Sequence, residues 1–167
     1  QQERILAWLY PEEYATDTGY QQLNSIMAIG SGQLKGKGLN NNTTTSVKNG
    51  NFLLEAETDF IFAIIGEELG FIATGAITIL YIVLVTKSIY IAKTAKDNIG
   101  SYIAIGIAGI FFFHMMENIG MTMGLLPITG VPLPFVSYGG SALVTNFICI
   151  ALLLNISSRR QKAIFMD

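Results

Sequence analysis

Asp59 opens a long apolar stretch of the chain and is its strongest candidate for chemistry. A carboxylate at the mouth of a membrane helix is partly desolvated, which favours its neutral form, and such a group can serve as a general base near neutral pH. Thr58 and Asp59 are also good N-cap residues, whose side chains bind the first amides of a helix. Spacing alone therefore leaves two interpretations open, a catalytic base and a helix cap.

Two adjacent carboxylates, Glu67 and Glu68, interrupt the same apolar stretch. Ionisable side chains inside membrane segments are usually paired or functional. Neighbouring residues of a helix project about 100° apart, so the two cannot face one partner equally. The pair either belongs to a polar site or marks the water boundary, with the spanning helix beginning after it.

The Gly-rich stretch 30–38 contains two cations, Lys35 and Lys37. Its glycines lack the spacing of a nucleotide-binding P-loop, and no buried strand precedes it. Its backbone amides and lysines could still bind a pyrophosphate outside the membrane. The alternative is a flexible basic turn.

His114, Glu117 and Asn118 share one face of a helix, because they lie three and four residues apart. A third metal ligand is not evident, so we predict no metal site and favour a structural polar contact between helices. Cys149 is the single cysteine and lies in an apolar run, which excludes an internal disulfide framework and favours a packed, inert thiol.

These residues belong to a chain with 51% hydrophobic and 13% charged residues, whereas soluble domains carry roughly 25% charged residues. The long apolar runs predict an all-α integral membrane protein whose region 58–167 holds three spanning helices, near 60–92, 99–123 and 138–157. Within the first, Gly70 is the expected break. The small net charge of −2 and the absence of a basic stripe argue against nucleic acid as a partner.

The remaining segments are predicted to face outward. Lysines follow the first predicted span and basic residues follow the third, which places both clusters in the cytoplasm. Residues 1–57 then form a long extracytoplasmic loop, with a short amphipathic helix near Gly19–Ile29 that Gly30 ends. Three prolines within 124–134 exclude a regular helix there and predict a re-entrant loop or cavity wall.

Several runs of this sequence form a recognisable series: Gly19-Tyr20-Gln21, Ala28-Ile29-Gly30-Ser31-Gly32, Gly36-Lys37-Gly38, Thr58-Asp59-Phe60-Ile61-Phe62-Ala63, Gly66-Glu67-Glu68-Leu69-Gly70, Asn118-Ile119-Gly120-Met121, and the long, highly specific run from Gly124 to Ser141. In this order they resemble the C-terminal part of the SEDS family, which comprises RodA, FtsW and SpoVE. The resemblance implies a bacterial inner-membrane protein of about ten helices that polymerises lipid II into peptidoglycan. This chain would supply the large outer loop and the last three helices, and would be inactive alone.

The resemblance also assigns roles to residues. The family's essential general base falls on Asp59, and substrate contacts are expected from Lys35, Lys37, Glu67, Glu68, Ser137 and Tyr138. Leu54 and Glu57 depart from the family pattern, which commonly has Pro and often has His there, so the electrostatics near Asp59 are open.

Further expectations concern partners and alternatives. The resemblance implies a class B penicillin-binding transpeptidase as partner, and a divalent cation such as Mg²⁺ could assist the leaving group. The stretch 128–132 favours membership in the elongation branch of the family, which maintains rod shape, over the division branch. Two other functions stay open: a lipid II translocase, and a scaffold that activates the transpeptidase.

Overall fold

A computed structural model of the protein describes Arg4, Leu6, Trp8 and residues 18–39 and 57–159. Its helices, in chain order, are α1 (Thr18–Gly32), α2 (Ile61–Lys93), α3 (Asn98–Thr122) and α4 (Gly140–Ser158). The last three are long and apolar enough to cross a membrane by length and composition, which confirms the three expected spans. Their observed ends lie within two residues of the expected ones. Most of the rest of the expected extracytoplasmic loop, including residues 40–56, lies outside the described part of the chain.

Helix α2 is broken at Gly70, as the sequence predicts. The backbone there has φ 75° and ψ −171°, a conformation that only glycine adopts readily. The break releases backbone groups that would otherwise pair within the helix, and residues 33–38 supply partners from outside. The bonds are Lys37 N to Glu67 O (2.9 Å), Gly38 N to Glu68 O (3.0 Å), Phe71 N to Gln33 O (2.8 Å) and Ile72 N to Leu34 O (3.3 Å). The Gly-rich stretch is therefore inserted into the helix break, and not a free turn.

Close backbone contact explains why this junction is rich in glycine. A Cβ atom on Gly36 would lie 2.1 Å from the carbonyl oxygen of Glu68, and one on Gly32 would lie 1.9 Å from that of Gly66. A Cβ atom on Gly70 would lie 2.3 Å from the amide nitrogen of Gly36. Any side chain at these positions would push the inserted segment away from the helix.

Helix α1 exists as expected, but its end differs from the prediction. It runs to Gly32 rather than stopping at Gly30, because the backbone leaves the helical region only at Gln33, which has φ 50°. A helix can continue through one glycine at a modest cost, so Gly30 alone is a weak stop signal.

The buried face of α1 is largely polar, with Ala28 as its buried apolar residue, which differs from the usual pattern of an amphipathic helix. Gln22 and Ser25 are buried, whereas Ile26 and Met27 are exposed. Gln22 Nε2 donates to the carbonyl of Leu126 (3.1 Å), and Ser25 Oγ donates to that of Thr122 (2.9 Å). Those carbonyls belong to the end of α3 and the loop beyond it, where backbone groups lack helical partners.

The connection between α3 and α4, residues 123–139, folds back among the spanning helices. The Tyr81 hydroxyl in α2 donates to the carbonyl of Pro134, and Leu133 is 1% exposed. The Phe135 ring packs against Phe111 of α3 and Phe147 of α4, with centroids 5.8 and 5.7 Å apart. Phe147 lies seven residues into α4, which at 1.5 Å per residue is about 10 Å below its start. The expected re-entrant loop is therefore confirmed, and it comprises residues 123–139.

Replacing Gly70 by alanine tests the inserted junction. We expect Gly70→Ala to lower the free energy of unfolding by about 3 kcal/mol, because the new Cβ meets backbone and the conformation is strained for any other residue. Thermal unfolding in detergent measures it. Gly75→Ala is the matched control, since nothing lies within 4 Å of a Cβ at Gly75, and it should be neutral or stabilising. Equal stability of the two variants would contradict the inserted arrangement.

Candidate functional site

Asp59 lies in a short turn, residues 57–60, at the start of α2. The N-cap position of α2 is occupied by Phe60, and no side-chain cap is formed there. Neither Thr58 nor Asp59 is therefore the N-cap residue of this helix. The half-buried Asp59 is held by its backbone, through two sets of hydrogen bonds to the rest of the fold.

The first set centres on Asn118 of α3, which is fully buried. Its Nδ2 donates to the carbonyl of Asp59 (2.9 Å) and to the carbonyl of Val131 in the re-entrant loop (2.8 Å). Two acceptors require the two N–H groups of the amide, so the side-chain orientation is fixed by chemistry. Asn118 thus joins three elements at the position of Asp59. This is a structural polar contact of the kind expected for the face that carries His114, Glu117 and Asn118.

The second set centres on Ser137 of the re-entrant loop. Its hydroxyl donates to the carbonyl of Thr58 (2.6 Å) and accepts from the amide of Leu133 (2.7 Å). Beside it, the amide of Tyr138 donates to the carbonyl of Glu57 (3.0 Å). The Ser137 hydroxyl is therefore engaged with backbone on both sides. The Tyr138 side chain is 78% exposed and can meet a ligand.

The carboxylate of Asp59 lies against Gly130. A Cβ atom at Gly130 would be 3.1 Å from Asp59 Oδ2, and Gly130 itself has a positive φ of 74°. The glycine leaves room for the carboxylate beside the re-entrant loop. The site therefore combines a carboxylate, a rigid turn and a loop that dips between the spanning helices.

The predicted substrate contacts Lys37 and Glu67 form an ion pair, with Nζ 2.9 Å from Oε1. Glu67 is 1% exposed, and the same two residues are joined by the backbone bond at the helix break. Glu67 therefore does not mark a water boundary, because it is buried and paired with a cation. Its charge neutralises Lys37, so Lys35, which is exposed, is the stronger candidate to meet an anion. The half-buried Glu68 stays a predicted contact.

A resident metal ion has few ligands to draw on in the part of the chain that the structure describes. No group of three His, Cys, Asp or Glu side chains converges there. His114 lines a cavity between α3 and α4, and the half-buried Cys149 lies in the wall of the same cavity. A divalent ion would depend mainly on oxygen atoms of a bound substrate.

Comparison with known proteins adds independent information. The family described as "Cell cycle protein", FtsW/RodA/SpoVE, matches residues 1–162. The peptidoglycan glycosyltransferase MrdB of Escherichia coli is 40% identical over 96% of this chain and 43% of its own length. The stage V sporulation protein E of Bacillus subtilis is 43% identical over 93% of this chain and 41% of its own length. A probable peptidoglycan glycosyltransferase FtsW of Geobacter metallireducens is 40% identical over 93% of this chain and 40% of its own length.

A solved structure shares the fold. It was described as "Structural coordination of polymerization and crosslinking by a peptidoglycan synthase complex", and its chain matches with a TM-score of 0.72 at 25% identity. The match covers 97% of this chain and 43% of that one. This chain therefore spans about two fifths of the proteins it matches.

Removing the cation from the buried ion pair should be costly. We expect Lys37→Met to lower the free energy of unfolding by about 3 kcal/mol, because the buried Glu67 loses its compensating charge. The double variant Lys37→Met/Glu67→Gln should recover most of that loss. Lys35→Met is the matched control and should change stability little. Thermal unfolding in detergent distinguishes them, and equal stability of Lys37→Met and Lys35→Met would contradict a stabilising pair.

Asn118 is expected to hold the Asp59 turn. Asn118→Leu removes both donors and leaves two carbonyls without partners, so we expect a loss of about 2 kcal/mol or more in unfolding free energy. Thr122→Val, one turn further along α3, is the control. The Thr122 hydroxyl donates only to carbonyls of its own helix, so its loss should cost little. Wild-type stability of Asn118→Leu would show that the two hydrogen bonds do not secure the turn.

Proposed function

Because the chain belongs to the FtsW/RodA/SpoVE family, we propose that the protein of which it forms part is a peptidoglycan glycosyltransferase that polymerises lipid II. The protein is a multi-pass membrane protein of the bacterial inner membrane. The matched relatives named as glycosyltransferases are more than twice as long as this chain, so the activity is proposed for the whole protein.

The observation that carries the proposal is the fixed position of Asp59. A general base must be held within hydrogen-bond reach of the proton that it removes. Here the backbone of the turn is bound by Asn118, Ser137 and Tyr138, and the carboxylate lies against Gly130. A base on a free loop would have to be ordered in each catalytic cycle, whereas this one is pre-organised.

The proposed reaction is a direct displacement. The 4-hydroxyl of the acceptor sugar attacks the anomeric carbon of the donor and gives its proton to the carboxylate of Asp59. A bond forms between that oxygen and the anomeric carbon as the bond to the undecaprenyl diphosphate breaks. The diphosphate leaves with the electron pair, and the configuration of the donor inverts from α to β. Asp59 then returns the proton to solvent.

The leaving diphosphate needs positive charge or N–H donors. Lys35 supports this role by its exposed charge, whereas Lys37 is already paired with Glu67. A Mg²⁺ ion would supply Lewis-acid stabilisation of the phosphates. Among the described side chains, the turn offers the carboxylates of Glu57 and Asp59 but no group of three ligands, so such an ion would be held chiefly by the substrate.

Two features favour a polymerase over the other candidates. A translocase needs a pathway that rearranges, yet the Asp59 turn is tied by hydrogen bonds to both α3 and the re-entrant loop. A pure scaffold gives no reason to fix so firmly the turn that carries one carboxylate. A crosslinking transpeptidase is the partner that we propose, because the structure that shares the fold was described as coordinating polymerization and crosslinking in a synthase complex.

Exchanging the carboxylate for its amide tests the proposal. We expect Asp59→Asn in the intact protein, with its partner present, to lower lipid II polymerisation by about 10²- to 10⁴-fold, the usual contribution of a general base. Gel analysis of glycan strands measures the rate, and lipid II binding should persist. Glu117→Gln is the control: it makes the same change on α3, one residue before Asn118, and should stay within about threefold of wild type.

Two other outcomes would favour the rival functions. Near wild-type polymerisation by Asp59→Asn would show that the carboxylate is not the base and would favour the scaffold. Loss of transbilayer lipid movement, with polymerisation of externally supplied lipid II intact, would favour the translocase.

A further inference from the structure

A cavity of about 260 Å³ separates α3, α4 and the re-entrant loop. Its wall is mostly apolar, and the polar side chains in it include His114 of α3, Ser137 of the re-entrant loop, and Ser141 and Asn146 of α4. His114 lies eight residues before the end of α3, which is about 12 Å inside the span at 1.5 Å per residue. Polar side chains at that depth need a hydrogen-bonding occupant, because hydrocarbon offers them no partner.

The start of α4 borders this cavity through Ser141 and Ala142, and it carries backbone donors that the helix itself does not use. Its N-cap residue, Gly139, provides no side-chain cap, and the first bond of the helix is from Leu143 N to the carbonyl of Gly139 (3.0 Å). Within the described chain, the amides of Gly140, Ser141 and Ala142 therefore have no acceptor. A 19-residue helix also carries partial positive charge at this end.

Asn146 is a second and independent feature of the same cavity. It is 8% exposed, it lines the cavity, and its side-chain amide has no hydrogen-bond partner among the residues that the structure describes. The imidazole of His114, on the opposite wall, likewise has none among them. The Asn146 amide borders the open space of the cavity, where a ligand or water can satisfy it.

The residues that line the cavity indicate which class of ligand it can bind. No carboxylate of the described chain lines the cavity, and the exposed Glu57 is not part of its wall. A cation would therefore find no counter-charge, and an acyl chain would leave the polar groups unpaired. Amide N–H groups, an imidazole and hydroxyls at a helix N-terminus are suited to an anion with several oxygens.

We propose that this cavity binds a phosphate-class anion, with the N-terminal amides of α4, Asn146 and His114 as its donors. Resting on the proposed function, we assign the anion to the diphosphate of the lipid-linked substrate, in place of the contact with Lys35 considered above, since Lys35 is not part of this cavity wall. Ser137 makes the connection to the base, since it lines the cavity and also donates to the carbonyl of Thr58, next to Asp59. The carboxylate and the anion site would then lie on two sides of one loop.

Direct binding of inorganic pyrophosphate to the intact protein tests this assignment. The protein is purified in a maltoside detergent, which carries no phosphate, and radiolabelled pyrophosphate is titrated by equilibrium dialysis. We expect saturable binding to the wild type and a loss of affinity of about tenfold or more in Asn146→Leu, since hydrogen bonds to charged groups are the strong ones. His114→Gln should also weaken binding, and it carries the test if Asn146→Leu fails to fold.

The matched control is Asn155→Leu, the same exchange on an exposed position of α4 away from the cavity. It should bind pyrophosphate within about twofold of wild type, and thermal unfolding verifies that all variants are folded. Wild-type affinity in both folded cavity variants would overturn the proposal.

Competition identifies the source of the anion. Displacement of pyrophosphate by undecaprenyl diphosphate but not by phosphatidylglycerol supports the lipid-linked diphosphate. Displacement by both supports the anion site but makes it a general site for lipid phosphates. Because the readout is binding, the anion site can fail while Asp59-dependent polymerisation persists, and it can hold while polymerisation fails.

Discussion

Backbone groups without helical partners, at the depth of a membrane, are the constraint on which the rest of this structure depends. Each unsatisfied amide or carbonyl there costs free energy that no water can offset. The chain nevertheless breaks α2 at Gly70 and folds residues 123–139 back between the helices. Both irregularities survive because other parts of the chain supply donors or acceptors. The inserted segment 33–38 serves the break, and Tyr81, Asn118 and Ser137 serve the loops.

This need for donors explains why α1 is polar on its buried side. The end of α3 and the loop beyond it present carbonyls, and Gln22 and Ser25 of α1 meet two of them. Trp8 adds a third bond, from its indole N–H to the carbonyl of Gly124 (3.0 Å). Ile26 and Met27 are then left on the outside, where lipid or further protein accepts them at little cost, while Ala28 packs in the core. The position of the unpaired carbonyls therefore explains why polar residues of α1 are buried.

The sequence predicted the features that follow from residue types within a single segment. Charge-free runs define the spans, and glycine and proline mark the break at Gly70 and the re-entrant loop, because both residue types act directly on backbone geometry. The sequence did not predict which side chain binds which backbone carbonyl. The bond from Asn118 to Asp59 joins residues 59 apart, and the bond from Ser137 to Thr58 joins residues 79 apart. Such pairs arise where packing brings a donor to an unpaired carbonyl, and no local pattern encodes that meeting. The Lys37–Glu67 pair is hidden in the sequence for the same reason, although each residue stands out there by its charge.

The re-entrant loop connects the Asp59 turn to the cavity between α3 and α4. At Val131 it shares the Asn118 amide with the Asp59 turn, and at Gly130 it makes room for the carboxylate. At Ser137 it binds the same turn again, and then it leads into α4, whose residues Ser141 and Ala142 line the cavity. A shift of this loop would therefore move a negative group and a set of N–H donors together. The reaction proposed above, which removes a proton at one point while an anion departs at another, would use that coupling. The hydrogen bonds to the carbonyls of Gly124, Leu126, Val131 and Pro134 restrain the loop, as that coupling would require.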